Sequence, residues 1–297
     1  MKINTEDHVE MVDIDLDIDG TVKAPLNGLI ALIDADTLAY TSCLNTEQQE
    51  DLMSIEMYTQ NEWLNIKSNP NYDEELHCIW TLNLDIAYQK ALEKLDRIYD
   101  KTGCRECEMY FTTGKGNFRY EVFPDYKANR TGRSPTDLNK LKTKLLENFK
   151  GEIRSDIEAD DIVVYLKNSN PDKYIMVAID KDLLFSTPGT HFNYYESGKY
   201  SIEMKWVECD EHTAITWPFI QALMGDKTDN IEGLYKVGPV KAKKILAGCT
   251  TADECWYAVK LAYENAGKTQ IDALIAMRLV HMHQWNGEKV VLWQPNL

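Results

Sequence analysis

Three short apolar runs constrain the fold of this 297-residue chain more than any other feature. Residues 28–34 read GLIALID, residues 108–113 read EMYFTT, and residues 174–180 read YIMVAID. Runs of this length, rich in aliphatic and aromatic residues, are typical of buried β-strands. Between them, apolar residues recur at helical spacing, most clearly over residues 83–101 and 134–149. This alternation predicts an α/β fold with a mostly parallel central sheet flanked by helices.

The pattern divides the chain into three parts. Residues 1–22 carry seven acids and one Lys and lack the basic start and apolar core of a signal peptide, so they predict a solvated acidic arm. Residues 23–212 hold the strands and helices of an α/β domain, in which the polar residues 45–76 are expected to be an insertion or surface helices. Residues 213–297 turn mostly helical and predict a C-terminal helical domain.

Composition excludes several classes of protein. The apolar fraction of 44% is too high for a disordered chain, and no apolar run approaches the ~18 residues of a membrane span, so no membrane is expected as a partner. Seven scattered cysteines fit a reduced, cytoplasmic protein. The net charge of −16 argues against a protein that coats nucleic acid generically. It does not exclude a nuclease, because metal-binding carboxylates make a chain acidic.

Eight carboxylates stand where these strands and helices begin or end. Because ligand sites in such sheets lie at the carboxyl ends of the strands, we expect these acids to converge on one rim. Converging acids repel one another unless cations neutralise them, and hard oxygen ligands favour Mg²⁺ or Mn²⁺. Two such ions ~4 Å apart can drive attack on a phosphodiester. The eight residues are Asp34, Glu158, Asp160, Asp161, Asp180, Asp182, Asp226 and Asp229.

Two stretches of the chain are basic although its net charge is negative. Residues 113–150 carry nine Lys and Arg against four acids, with aromatic residues interleaved, a mixture that suits single-stranded nucleic acid. A solvated amphipathic helix would explain residues 138–150 equally well. Residues 233–246, GLYKVGPVKAKKIL, place several Lys and Gly238 at a helix start, where they could track a duplex backbone. An ordinary helix-turn-helix packing unit is the alternative for this second stretch.

Together these residues resemble the 5′-nuclease family, which comprises flap endonucleases and the 5′→3′ exonucleases of bacteriophages and bacterial DNA polymerases. The stand-alone phage exonucleases are the most similar type. The resemblance implies a PIN/5′-nuclease-like sheet, a helical arch within residues 113–150 and a helix–three-turn–helix motif at residues 233–246. The matching stretches occur in the family's order over about 215 residues: LIDAD (32–36), GNFRYEVFPDYKANR (116–130), EADD (158–161), IDKDL (179–183) and GDKTDNIEGLYKVGPVKAKKIL (225–246).

The resemblance also implies a role for each site residue. Asp34, Glu158, Asp160 and Asp161 would hold a first metal ion, Asp180 and Asp182 would bridge to a second, and Asp226 and Asp229 would complete it. The expected ions are two or three Mg²⁺ or Mn²⁺, with a K⁺ on backbone carbonyls of residues 233–246. The expected catalytic residues are Lys127, Arg130, Asp180 and Asp182. The expected DNA-binding residues are Arg119, Tyr126, Lys127, Arg130, Arg133, Lys236, Gly238, Lys241, Lys243 and Lys244.

One departure from the family concerns the end of the second apolar run. The family usually has an Asp there, whereas this chain reads FTTGKGNFR, with Thr112 or Thr113 in its place. We expect a retained water shell to replace the lost carboxylate.

The resemblance predicts a Mg²⁺-dependent, structure-specific 5′→3′ exonuclease and flap endonuclease that hydrolyses DNA phosphodiester bonds by a two-metal mechanism. The expected substrates are double-stranded DNA with 5′ ends, flaps or nicks, and RNA primers in RNA–DNA hybrids, in phage DNA replication. The expected enzyme is a monomer in the host cytoplasm. Two alternatives are a catalytically impaired DNA-binding relative, which the missing Asp favours, and a PIN-type ribonuclease, which would lack the Lys-rich residues 233–246.

Overall fold

The computed structural model describes residues 28–130 and 132–296. The acidic arm predicted for residues 1–22 lies outside these residues. The elements in chain order are β1 (Ile30–Asp34), α1 (Asp36–Leu44), β2 (Gln48–Asp51), α2 (Gln60–Ser68), β3 (Tyr72–Asp73), β4 (Cys78–Thr81), α3 (Leu84–Thr102), β5 (Cys107–Thr112), α4 (Phe118–Val122), α5 (Leu138–Leu146), β6 (Lys150–Arg154), α6 (Ala159–Ser169), β7 (Tyr174–Ala178), α7 (Lys181–Leu184), β8 (Gly189–Asn193), β9 (Lys205–Cys209), α8 (Glu211–Met224), β10 (Gly225–Asp226), β11 (Ile231–Glu232), α9 (Pro239–Ile245), α10 (Ala252–Asn265) and α11 (Gln270–Val280).

The central sheet has six strands in the order β6-β5-β1-β7-β8-β9. Every neighbouring pair is parallel except β8 and β9, which form a hairpin, so the predicted mostly parallel sheet is confirmed. Strand β6 was not predicted, because its sequence KGEIR carries a charge at three of five positions. Strand β1 lies between β5 and β7, so the strands that follow it in the sequence are added first on one side of β1 and then on the other. The carboxyl end of β1 is therefore a switch point, where ligands bind in such sheets.

Helices cover both faces of the sheet because the buried strands alternate their side chains between two cores. Ala31 and Ile33 belong to the core shared with α1, α3 and α5, whereas Leu32 belongs to the core shared with α6 and the C-terminal helices. Helix α3 begins at the side chain of Asn83, which accepts from two backbone N–H groups, and ends at Gly103 with φ 78°. A left-handed residue of this kind favours glycine and stops the helix.

The polar insertion is more structured than its composition predicts. It contains a second, antiparallel sheet in the order β2-β4-β3 beside helix α2, rather than surface helices alone. Trp63 packs against Tyr58, Tyr72 and His77. The strands are short and mostly exposed, which is why no alternating apolar pattern marks them.

The C-terminal part is helical, as predicted, except for the two-residue strands β10 and β11. Gly225 and Gly233 allow a close crossing there, since a Cβ on either would lie 2.1–2.3 Å from the other segment's backbone. This crossing fixes the loop of residues 226–230 against the end of α8. None of the helices in the described residues combines the length and apolar character that crossing a bilayer requires.

Candidate functional site

The first group of acids lies at the carboxyl edge of the sheet. Asp34 ends β1, Asp180 follows β7 and caps α7, and Asp160 lies in the first turn of α6. Burial and the neighbouring Asp36 and Asp180 raise the pKa of Asp34 to about 7. Burial, Asp34 and Glu158 raise the pKa of Asp160 well above its usual value. Carboxylates that are distant in the sequence are thus close enough for their charges to raise one another's pKa values.

A second group shares Asp180 with the first. Burial and the charges of Asp229 and Asp226 raise the pKa of Asp180, and burial and Asp180 raise that of Asp182. The Trp217 indole Nε1–H donates to Asp182 at 3.1 Å and fixes that carboxylate. Nothing in the spacing of the sequence pointed to Trp217. Asp180 therefore interacts electrostatically with acids of both groups.

The chemistry of this donor set fits divalent cations. All of its donors are carboxylate oxygens, which hard ions such as Mg²⁺ and Mn²⁺ prefer. The raised pKa values express mutual repulsion and desolvation, which a bound cation would relieve. Among the residues that the structure describes, no three His, Cys, Asp or Glu side chains already form a ligand group. The acids line a rim, and bound water or side-chain rotation would have to complete the coordination.

Glu158 is held at this rim by three polar neighbours. The Lys127 ammonium lies 2.6 Å from Glu158 Oε1, the Asn117 amide donates to the same oxygen, and the Tyr126 hydroxyl donates to Oε2. Burial alone would raise the pKa of Glu158, but Lys127 and the nearby Arg119 lower it to about 2. Glu158 is therefore ionised in the folded protein. Asn117 was not predicted, and only its place just before Phe118 in GNFR could have drawn attention to it.

Asp161 does not face the rim, which corrects its assignment as a metal ligand. Arg119 Nη1 and Nη2 donate to its two oxygens at 2.6 and 2.9 Å. Both side chains are buried, and Arg119 also donates to the backbone carbonyl of Leu279 at 2.9 Å. Because both carboxylate oxygens accept from one guanidinium away from solvent, Asp161 serves as the partner of Arg119.

The same contacts correct two predicted DNA-binding residues. Arg119 is 2% exposed and cannot reach a phosphate without breaking its pair with Asp161. Tyr126 is also 2% exposed, and its hydroxyl donates to Glu158 and Asp229, so its ring is not free to stack on bases. The sequence FRYEVFPDYK looked like a surface of cations and rings because its acidic partners are far along the chain.

Arg133 is a further predicted DNA-binding residue that the structure places elsewhere. Its guanidinium makes a two-pronged pair with Glu47 at 2.8 and 2.9 Å and stacks on the ring of Trp80. Both partners belong to the polar insertion or its border. Arg133 therefore anchors the insertion to the rest of the chain.

Lys127 and Arg130, the expected catalytic cations, do lie beside the acids. Arg130 pairs with Asp229, and Lys127 lies 3.6 Å from the same carboxylate while contacting Glu158. Burial alone would lower the pKa of Lys127, but these two acids raise it, so the ammonium keeps its charge. The site thus combines the acids with two cations.

Comparison with known proteins finds relatives in sequence and in fold. No family model matches the chain. The 5′-3′ exonuclease of Buchnera aphidicola (subspecies Schizaphis graminum) is 30% identical over 193 residues, which is 60% of this chain and 63% of that protein. A variant of the phage T5 5′-exonuclease has the same fold, with a TM-score of 0.55 at 14% identity, covering 86% of this chain and 89% of that one.

Over part of its length the chain is similar in sequence to bacterial 5′-3′ exonucleases, and it has the fold of the phage T5 5′-exonuclease. It spans less than two thirds of the length of the first curated relatives that it matches. A second solved structure with the same fold is the phage T5 flap endonuclease in a pseudo-enzyme–product complex with DNA and metal ions. Its TM-score is 0.51 at 15% identity, with 86% of this chain and 89% of that chain covered.

Thr112, one of the two residues at which the sequence departs from the 5′-nuclease pattern, has a structural role. Its Oγ1 accepts from the backbone N–H of Ala159 at 2.9 Å and so caps the start of α6, where Glu158 makes no side-chain cap. The Thr112 backbone N–H donates to Asp36 Oδ2, and Lys142 contacts both Asp36 and the Thr112 carbonyl. The end of β5 therefore carries the Thr112 hydroxyl and contacts the Lys142 ammonium, where the family has a carboxylate.

Replacing Thr112 by Val should destabilise the protein by about 1 kcal/mol, because the buried Ala159 N–H loses its acceptor while the side-chain shape is kept. The measurement is the free energy of unfolding in urea. Thr112→Ser keeps the hydroxyl and should lose less. Equal losses in both variants would contradict the capping role.

The helical arch predicted over residues 113–150 is wrong for its second half. Helix α5 packs against α1 and α3, and Leu141 and Leu145 are fully buried in the core beneath them. Even Lys142 is 5% exposed, because it pairs with Asp36. The basic pattern of α5 thus belongs to an amphipathic core helix, the alternative left open from sequence.

The Lys-rich stretch of residues 233–246 lies on the surface. Its predicted residues Lys236, Gly238, Lys241, Lys243 and Lys244 are all exposed. Tyr235 is 83% exposed at the turn before α9. Val237 and Leu246 are buried and hold the turn and helix against the C-terminal core. Within the part of the chain that the structure describes, these cations are therefore accessible from solvent.

Proposed function

We propose that this chain is a divalent-metal-dependent 5′ nuclease, a structure-specific 5′→3′ exonuclease and flap endonuclease acting on DNA. The observation that carries the proposal is the set of acids around Asp180, whose charges raise one another's pKa values, next to the cations Lys127 and Arg130, which pair with Glu158 and Asp229. The relative named 5′-3′ exonuclease and the T5 flap endonuclease complex with DNA and metal ions support it.

Seven of the eight predicted acids would hold the ions. Asp34, Glu158 and Asp160 would serve one side, Asp226 and Asp229 the other, and Asp180 with Asp182 would stand between them. Bound Mg²⁺ or Mn²⁺ would supply an activated water and stabilise the leaving oxygen. A K⁺ on backbone carbonyls of residues 233–246 remains part of the proposal on the resemblance alone.

The chain's own residues would divide the remaining work. Lys127 and Arg130 would neutralise the scissile phosphate once they leave Glu158 and Asp229. The exposed Lys of residues 233–246 would contact the duplex backbone without reading bases, which suits recognition of structure rather than sequence. Residues 23–212 would then form the nuclease part and residues 213–297 the DNA-binding part.

Finer parts of the proposal concern substrates and setting. We propose cleavage at 5′ ends, flaps and nicks of DNA and at RNA primers in RNA–DNA hybrids, leaving a 5′-phosphate and a 3′-hydroxyl. A monomer acting in phage DNA replication in the host cytoplasm fits the resemblance to stand-alone phage enzymes.

The test is the product spectrum on three 5′-labelled substrates: a flap, a nicked duplex and an RNA–DNA hybrid. We expect cleavage with Mg²⁺ or Mn²⁺ and none with EDTA. Binding to the flap without turnover in either metal would contradict the proposal and favour the catalytically impaired relative.

Removing two surface cations tests the duplex contact. The double variant Lys241→Gln/Lys244→Gln should bind duplex DNA more weakly, and the slope of log Kd against log salt should fall by about 2, since two phosphate contacts are lost. Fluorescence anisotropy over a salt series measures both quantities. The matched control Lys101→Gln/Lys205→Gln removes two exposed cations elsewhere and should leave the slope unchanged. Equal slopes for both double variants would refute the contact.

A further inference from the structure

Residues 125–130 and residues 226–230 are paired along their length. The Lys127 backbone N–H donates to the Asp229 carbonyl at 2.9 Å. The Asn230 amide donates to the Asp125 carbonyl at 2.7 Å, and the Asn129 amide donates to the Lys227 carbonyl. We call these two stretches the cationic segment (125–130) and the acidic loop (226–230).

Two residues of this pairing have a left-handed backbone, which is common for Asn and uncommon for Lys. Lys127 and Asn230 have φ values of 56° and 57°, in the left-handed region. A Lys with this backbone costs free energy, so contacts around it must hold it there. Those contacts are the hydrogen bonds between the cationic segment and the acidic loop.

The pairing positions two cations, Lys127 and Arg130, and these cations contact carboxylates of the proposed metal site. Lys127 lies 2.6 Å from Glu158, and Arg130 pairs with Asp229. The Tyr126 hydroxyl donates to Asp229 Oδ2 at 2.9 Å. An oxygen that accepts from an ammonium or a guanidinium offers that lone pair to no metal ion. Glu158 and Asp229 can therefore pair either with the internal cations Lys127 and Arg130 or with a divalent ion from solvent, and the two compete.

We propose that Lys127 and Arg130 are built-in counter-ions of the metal site, which a divalent ion displaces from Glu158 and Asp229. Asn129 and Asn230 are the positioning residues that hold them there. The inference rests on the proposed function, and it adds an exchange: loading of the site releases two cations at the place where a phosphate must be met. Metal binding and phosphate binding are then coupled through one short segment, since both depend on the same two cations.

The direct test is Mn²⁺ binding to the full chain without DNA, by isothermal titration calorimetry. Lys127→Gln/Arg130→Gln removes the internal competitors and should bind Mn²⁺ about fivefold tighter than the wild type or more, the effect of losing a partly exposed ion pair. Asn129→Ala leaves every charge in place and should shift the Kd in the same direction by less. Lys227→Gln is the matched control, because this exposed Lys of the acidic loop is not a partner of Glu158 or Asp229 among the described ion pairs.

Amide hydrogen exchange gives a second measurement that does not depend on turnover. Saturating Mn²⁺ should increase exchange in the cationic segment of the wild type, because Lys127 leaves its acidic partners. Unchanged exchange together with equal Kd values in all variants overturns the exchange inference alone. A wild type that binds no Mn²⁺ overturns the proposed function as well, so the two failures are distinguishable.

Discussion

Replacing Asp180 by Asn should reduce Mg²⁺-dependent cleavage of a 5′-flap by about 10³-fold or more, since metal-ion catalysis contributes several kcal/mol to the barrier. Asp180 interacts electrostatically with acids of both groups, so its loss affects both parts of the proposed site. Asn keeps the size and one oxygen but removes the charge that attracts the ion. Single-turnover cleavage of a 5′-labelled flap at saturating enzyme measures the effect.

The matched control is Asp172→Asn, which makes the same chemical change at an exposed position. It should cleave at the wild-type rate, and circular dichroism should show both variants folded. A folded Asp180→Asn variant that cleaves normally would remove the acid cluster from the mechanism.

Replacing Arg119 by Met should destabilise the protein by about 3–5 kcal/mol, the usual cost of leaving a buried charge without its partner. Asp161 is fully buried, and both of its oxygens accept from Arg119. The Leu279 carbonyl would lose a donor at the same time. Urea unfolding followed by tryptophan fluorescence measures the change in the free energy of unfolding.

The double variant Arg119→Met/Asp161→Leu identifies the cause of that loss. Removing both charges together should recover a large part of the stability, because an apolar pair of similar volume needs no compensation. Arg154→Met, which breaks an exposed pair with Asp156, should cost no more than about 1 kcal/mol. If Arg119→Met costs as little as Arg154→Met, the pair has no structural importance.

The sequence predicted the framework because the framework depends on local patterns. The runs at residues 28–34 and 174–180 became β1 and β7, and the helical spacing of residues 83–101 became helix α3. The acids were predictable for a related reason. A polar residue at the end of an apolar strand lies at the carboxyl edge of the sheet, where ligand sites form in such folds. Asp34 and Asp180 lie at this edge.

The errors came from contacts between residues far apart in the sequence. Arg119 and Tyr126 looked like a basic, aromatic surface until the structure brought α6 and the acidic loop against them. The helix of residues 138–146 carried Lys on a pattern that fits both a solvated arch and a core helix, and only the positions of α1 and α3 decide between these. Charge in a sequence does not reveal whether its counter-charge lies in water or in protein.

The hydrogen bond from Arg119 to the Leu279 carbonyl limits where this chain can be truncated or joined to another protein. A single apolar core runs from α6 and β7 through α8 to α11, so the last helix shares its foundation with the acids of the sheet edge. The parts proposed for cleavage and for DNA binding therefore share one core and are not expected to be interchangeable. Grafting the terminal helices of a distant relative should disturb the packing beneath the proposed metal site, and a chain that ends before residue 279 should lose the acceptor of Arg119 and part of this core.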